Sequence, residues 1–135
     1  MPTNRFKSNY LESGLGFELQ YESTSTSKWS YSGGDCGGTF ATQSGLIASP
    51  SYPDTYPENS DCVYHISQPE GTNVTMKILQ VAMEQEPGSQ SCHHRDYLEI
   101  RDGSDADAPI LTVVCGFDPD IYPAIHSTQN HVWMR

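Results

Sequence analysis

Long apolar runs are missing from this chain. No stretch approaches the roughly 18 consecutive apolar residues that a membrane-spanning helix needs. Basic residues are few, 7 Lys and Arg against 17 Asp and Glu, for a formal net charge of −10. Nucleic-acid binders need a basic footprint, so that class is excluded. No HExxH, GxSxG or phosphate loop occurs, and catalysis by these residues is not expected. No two cysteines form a CxxC pair, which argues against a zinc ribbon. The hydrophobic share, 36%, is low for a large core. The start, Met1-Pro2-Thr3-Asn4-Arg5, is polar and has no signal peptide, so a secreted reading takes the chain as an excerpt of a longer one.

What the chain does have is four cysteines, Cys36, Cys62, Cys92 and Cys115, in two well-separated pairs. As disulfides they would place the protein outside the cytosol. Four cysteines allow three connectivities; in the sequential one each bridge would contribute roughly 3–4 kcal/mol by loop entropy. Metal ligation is the competing reading, because His93 and His94 follow Cys92. Consecutive strand residues point to opposite faces, so these two histidines do not easily grip one ion. Asn73-Val74-Thr75 is the one glycosylation sequon, beside a Gly-Thr turn.

The negative charge is uneven. Residues 1–35 carry three basic and four acidic groups, a net of −1; residues 36–135 carry four and thirteen, a net of −9. Such a surface favours cations and basic protein surfaces, although acidity also serves solubility alone.

Period-two alternation dominates the chain. Residues 5–21 read as two strands around Gly14-Leu15-Gly16, with Phe17-Glu18-Leu19-Gln20-Tyr21 alternating apolar and polar. Residues 23–35, rich in Ser, Thr and Gly, read as a linker. Beyond it, Cys62, Tyr64 and Ile66 share one face, and Val74, Met76 and Ile78 share another. Further strands are expected over 96–101, 110–115 and 131–134, with no helical stripe anywhere. Eleven Gly and nine Pro supply frequent turns. The fold class is therefore all-β, an antiparallel β-sandwich. Asp96 shares its parity with Leu98 and Ile100, so it points toward the core at a strand's beginning, where an ionised carboxylate is costly unless it is solvated, paired or metal-bound. Asp102-Gly103-Ser104-Asp105-Ala106-Asp107 lacks EF-hand spacing and reads as a hairpin turn.

From Cys36 onward the chain closely resembles a CUB domain. The matching residues run in order: Cys36-Gly37-Gly38, Gly45 to Ser49-Pro50-Ser51-Tyr52-Pro53, Tyr56-Pro57, Cys62-Val63-Tyr64-His65-Ile66, Pro69-x-Gly71, Glu84, Cys92, Asp96 to Gly103, and Cys115-Gly116. The resemblance implies a jelly-roll sandwich with sequential disulfides, Cys36–Cys62 and Cys92–Cys115. Phe6-Lys7-Ser8-Asn9 and Gly16 to Tyr21 resemble the closing two strands of the same family, while the main module ends at His131-Val132-Trp133-Met134-Arg135, where those strands should begin. The expected organisation is thus the tail of a preceding CUB domain (1–22), a linker (23–35), and a CUB domain truncated before its last two strands (36–135). Residues 1–22 could themselves fill that gap.

The resemblance also implies a calcium site, with Glu84 and Asp96 as metal ligands and the Tyr56 hydroxyl steadying the site. The expected function is an extracellular or cell-surface, calcium-dependent protein-binding module of a multi-CUB receptor in ligand uptake. Its partners would be protein ligands presenting Lys or Arg and neighbouring CUB domains, with only indirect membrane association. Competing readings are a non-catalytic accessory domain of a secreted protease and a structural spacer. His93 and His94 could tune binding at endosomal pH, though exposed strand histidines are usually inert.

Overall fold

The computed structural model describes residues 6–7, 14, 16–23, 29–34, 36–83, 92 and 96–135. Their strands are β1 (Phe6–Lys7), β2 (Gly16–Ser23), β3 (Trp29–Gly34), β4 (Gly38–Phe40), β5 (Ser44–Pro50), β6 (Asp61–Cys62), β7 (Tyr64–Ser67), β8 (Val74–Ala82), β9 (Tyr97–Asp102), β10 (Ile110–Val114), β11 (Ile125–His126) and β12 (His131–Met134). A 3-10 turn, Pro119–Ile121, lies between β10 and β11. A seven-stranded sheet runs β4-β7-β12-β9-β1-β6, with β10 also paired to β9; a five-stranded sheet runs β11-β8-β2-β5-β3. Pairing is antiparallel except for β3 with β5 and β4 with β7.

The two sheets close on a core built from alternate residues. Phe17, Leu19 and Tyr21 of β2 meet Tyr64, Ile66, Leu98, Ile100 and Val132 of the other sheet. The Phe17 and Tyr64 rings pack edge to face at 5.8 Å. Along β8 the alternation Val74, Met76, Ile78 changes phase, so that Val81 and Met83 are buried next. A register shift between Glu18 and Leu19 on β2 puts Glu18 opposite Gln80 but Leu19 opposite Ile78. The extra residue on β8 is a bulge, and it returns the apolar side chains to the core.

Both disulfides form in sequential order, Cys36–Cys62 and Cys92–Cys115. Gly37 has a φ of +88° and lies against the Val63 carbonyl, leaving no room for a Cβ where the first bridge enters the sheet.

The N-terminal segment is woven into both sheets. β2 pairs with β8 along its length and with β5 from Glu18 to Glu22. β1 continues the line of β12. Met134 lies opposite Ile100 on one flank and Tyr64 on the other. Phe6 lies opposite Leu98 and Cys62, two residues further along both flanks. Between them Arg135 and Glu99 exchange both backbone hydrogen bonds, each 3.1 Å. Phe6 therefore occupies the slot one place past Arg135, in register and in the same direction. β1 thus lies where a strand continuing from β12 would run, and β2 lies between β8 and β5 in the other sheet. One correction follows for the segment read as linker: residues 29–34 form β3 on the edge of the five-stranded sheet. An edge strand is held through its backbone, so it needs no alternating pattern to form.

Candidate functional site at the start of β9

Asp96 precedes β9 and is 1% exposed, as its parity with Leu98 and Ile100 required. Tyr56, also 1% exposed, donates its phenolic O–H to Asp96 Oδ2 at 2.5 Å. Hydrogen bonding to the ionised form offsets the cost of burying a carboxylate. Tyr56 is itself held: its backbone N–H donates to the Gly14 carbonyl at 3.2 Å. Gly14 sits so close to the Ala82 carbonyl that a Cβ there would collide with it. Next along the chain, Met83 N–H donates to the Gly116 carbonyl at 2.9 Å. Segments at 14, 56, 82–83, 96 and 116 thus converge at one end of the sandwich.

The loop leaving β10 lies at the same end, because Val114 pairs with Leu98. It is braced by Tyr122, whose hydroxyl accepts from Cys115 N–H and donates to the Cys115 carbonyl, both at 2.9 Å. Asp118 caps the 3-10 turn by accepting from Asp120 N–H at 3.0 Å. This braced loop presents Phe117 and Ile121, 59% and 63% exposed, flanking the exposed Asp118 and Asp120.

Of the expected site residues, the ligand Asp96 and the supporting Tyr56 are brought together; Glu84, like His93 and His94, lies outside the described residues. Among the described residues no group of three or more His, Cys, Asp or Glu forms a metal cluster. The oxygen donors at Asp96 nevertheless suit the chemistry of calcium, which takes carboxylates in oxygen cages. Asn73 is exposed, in the turn before β8, on a polar groove of about 290 Å³ that it shares with Thr72, Thr128 and Asn130.

Besides Glu99, 2% exposed on β9, two buried charges were not evident from the sequence. Asp102, at the far end of β9, accepts from Thr128 N–H at 3.0 Å and Thr128 Oγ1 at 2.6 Å. Arg135 forms a bidentate pair with Asp61, through Nε at 2.6 Å and through Nη2. Asp61 raises the Arg135 pKa above its ordinary value by that hydrogen bond, against the effect of burial. The parity of Asp102 with Leu98 and Ile100 was the available signal for the first. The second has none, since its partners are 74 positions apart.

Comparison with known proteins agrees with this architecture. Residues 36–135 match the CUB domain sequence model. The chain is 38% identical to Cubilin of Sus scrofa over 97% of its own length and 3% of that protein's. It is 37% identical to Bone morphogenetic protein 1 of Xenopus laevis, covering 97% of this chain and 16% of the relative. Against Tolloid-like protein 2 of Mus musculus it is 32% identical, over 96% and 11%. The chain spans only a small part of each of these relatives. With the family's sequence pattern matched and two disulfide-bonded sheets in place, this chain belongs to the CUB domain family.

Proposed function

We propose that the chain is an extracellular, calcium-dependent protein-binding module of a multi-CUB receptor, acting in ligand uptake. The observation that carries this reading is the buried carboxylate of Asp96, held by Tyr56 at an end that also presents Phe117, Ile121 and two further acids. Calcium, bound through Glu84 and Asp96, would supply a fixed positive centre that orders these acids. Tyr56 orients the Asp96 carboxylate from within the core. Carboxylate oxygens at this tip accept a Lys or Arg N–H from a partner, and a charge-assisted hydrogen bond is stronger than a neutral one. Phe117 and Ile121 add apolar area beside it. One such contact is modest, so neighbouring CUB domains would raise affinity through avidity.

In the same reading residues 1–22 derive from the closing strands of a preceding domain and serve as closing strands of this one, a role that their register behind β12 supports. Asn73 carries a glycan, reached from its exposed turn. Identity to Bone morphogenetic protein 1 nearly equals that to Cubilin. This favours keeping a second reading, a non-catalytic accessory domain of a secreted protease, which would use the same tip.

Calorimetric titration with CaCl2, followed by binding to an immobilised lysine-rich peptide in calcium and in EDTA, tests the proposal. Glu84→Ala and Asp96→Asn should each abolish calcium uptake and weaken peptide capture. Capture indifferent to EDTA and to both substitutions overturns it.

A further inference from the structure

β7 and β12 are antiparallel neighbours in which Trp133 faces His65 and His131 faces Ser67. His65 and His131 are therefore diagonal neighbours. Their parity is opposite to that of the buried Tyr64, Ile66 and Val132, so both stand on the outer face of the seven-stranded sheet, each half-buried. The rings stack at 5.1 Å with an interplanar angle of 27°. His65 Nε2 lies 3.0 Å from His131 Nδ1. Diagonal side chains on a sheet are ordinarily about 7–8 Å apart, so these two lean together until one nitrogen of each stands within hydrogen-bond distance of the other.

Two protonated imidazoles cannot make that contact, because both would be donors. Burial, and then the proximity of His131, lower the His65 pKa below its ordinary value. The neutral form has a lone pair to give. Around the pair, Thr39 faces His65 from β4, and Arg101 faces Trp133 from β9. Arg101 is engaged elsewhere, donating to the Ala108 carbonyl at 2.6 Å and lying 3.8 Å from the Glu99 carboxylate.

We infer that His65 and His131 form a site for a divalent transition-metal ion, copper(II) ahead of zinc. With metal–nitrogen bonds of about 2.0–2.1 Å, nitrogens 3.0 Å apart subtend roughly 91–97° at the ion. That is the cis angle of square-planar or tetragonal coordination, the preference of copper(II). Tetrahedral zinc requires the nitrogens to part by about 0.3 Å, a small ring rotation. Imidazole suits both ions, whereas calcium takes oxygen ligands. This site also lies toward the Asp102 end of β9, since Val132 pairs with Asp102. It is thus distinct in chemistry and place from the Asp96 tip, and it does not depend on the function proposed there. Its remaining coordination positions face solvent, open to water or to a partner's donor.

The test is a CuCl2 titration of the whole chain in excess calcium, followed by electron paramagnetic resonance. The expected result is one ion per chain with superhyperfine structure from two imidazole nitrogens. His65→Gln and His131→Gln should each weaken uptake about tenfold or more, while His126→Gln and the His93→Gln/His94→Gln pair leave it unchanged. The nitrogen count is read on the unaltered chain, so it stands even if a variant misfolds. Absence of stoichiometric uptake, displacement of copper by calcium, or equal uptake by a folded His65→Gln/His131→Gln protein overturns the inference.

Discussion

The two ends of β9 each bury an aspartate, and they are built differently. At the finish of the strand, both Asp102 oxygens are satisfied by a single residue, Thr128, in the loop that leads into β12. Before its start, Asp96 is bonded by Tyr56, forty positions away, and Tyr56 is in turn held by Gly14. The flanking strands differ as well: β12 covers Ile100 to Asp102, whereas β1 covers Tyr97 and Leu98. An acid satisfied by one neighbouring loop is a structural tie. An acid positioned by segments from several parts of the chain is a site that exists only once the fold is complete.

Removing residues 1–22 is the strongest way to break this comparison. It deletes β1 and nearly all of β2, including the fully buried Phe17, Leu19 and Tyr21. Losses of about 3–5 kcal/mol for each large core side chain together rival a whole domain's stability of about 5–15 kcal/mol. The expected outcome is loss of the cooperative melting transition by circular dichroism. A truncated chain that melts at the same temperature would mean that the Asp96 end does not need the N-terminal strands.

A gentler pair of substitutions sharpens the contrast. Asp102→Ala leaves the Thr128 N–H without its acceptor and should cost about 2–3 kcal/mol in urea unfolding, equally with calcium or EDTA. Tyr56→Phe should cost about 1.5 kcal/mol and, unlike Asp102→Ala, should also lower calcium affinity. Equal calcium affinity in the two variants would erase the distinction between tie and site.

The smallest effect is with pH. The folded-state pKa of His65 is lowered, so as pH falls below about 6.5 the unfolded chain takes up its proton first. Stability should be complete above that value, decline between it and the lower folded pKa, and then level off. His65→Gln should remove this slope. The amide shifts that move should belong to β7 and β12, leaving the Asp96 end unchanged.

Much of this was legible in the chain. Cys62, Tyr64 and Ile66, and Val74, Met76 and Ile78, marked their inward faces by alternation, and Asp96 revealed its burial by the same parity. Val81 and Met83 broke the pattern because a bulge, invisible as composition, resets the phase of β8. β3 was hidden because its pairing is carried by main-chain groups. Tyr56 entered the site reading only through resemblance to other CUB domains, since nothing local links residues 56 and 96. His65 and His131 gave no signal separately; only the pairing of β7 with β12 makes them neighbours.

The sequence by itself determined which face is apolar in the regularly alternating strands, that four cysteines were available to crosslink, and that the surface is strongly acidic. These are properties of side chains and their local spacing. Only the tertiary structure decided which strand lies beside which: that β1 follows β12 in register, that Tyr56 reaches Asp96, and that two histidines meet. Backbone N–H and C=O groups are alike at nearly every residue, so sheet pairing is set by how the whole core closes.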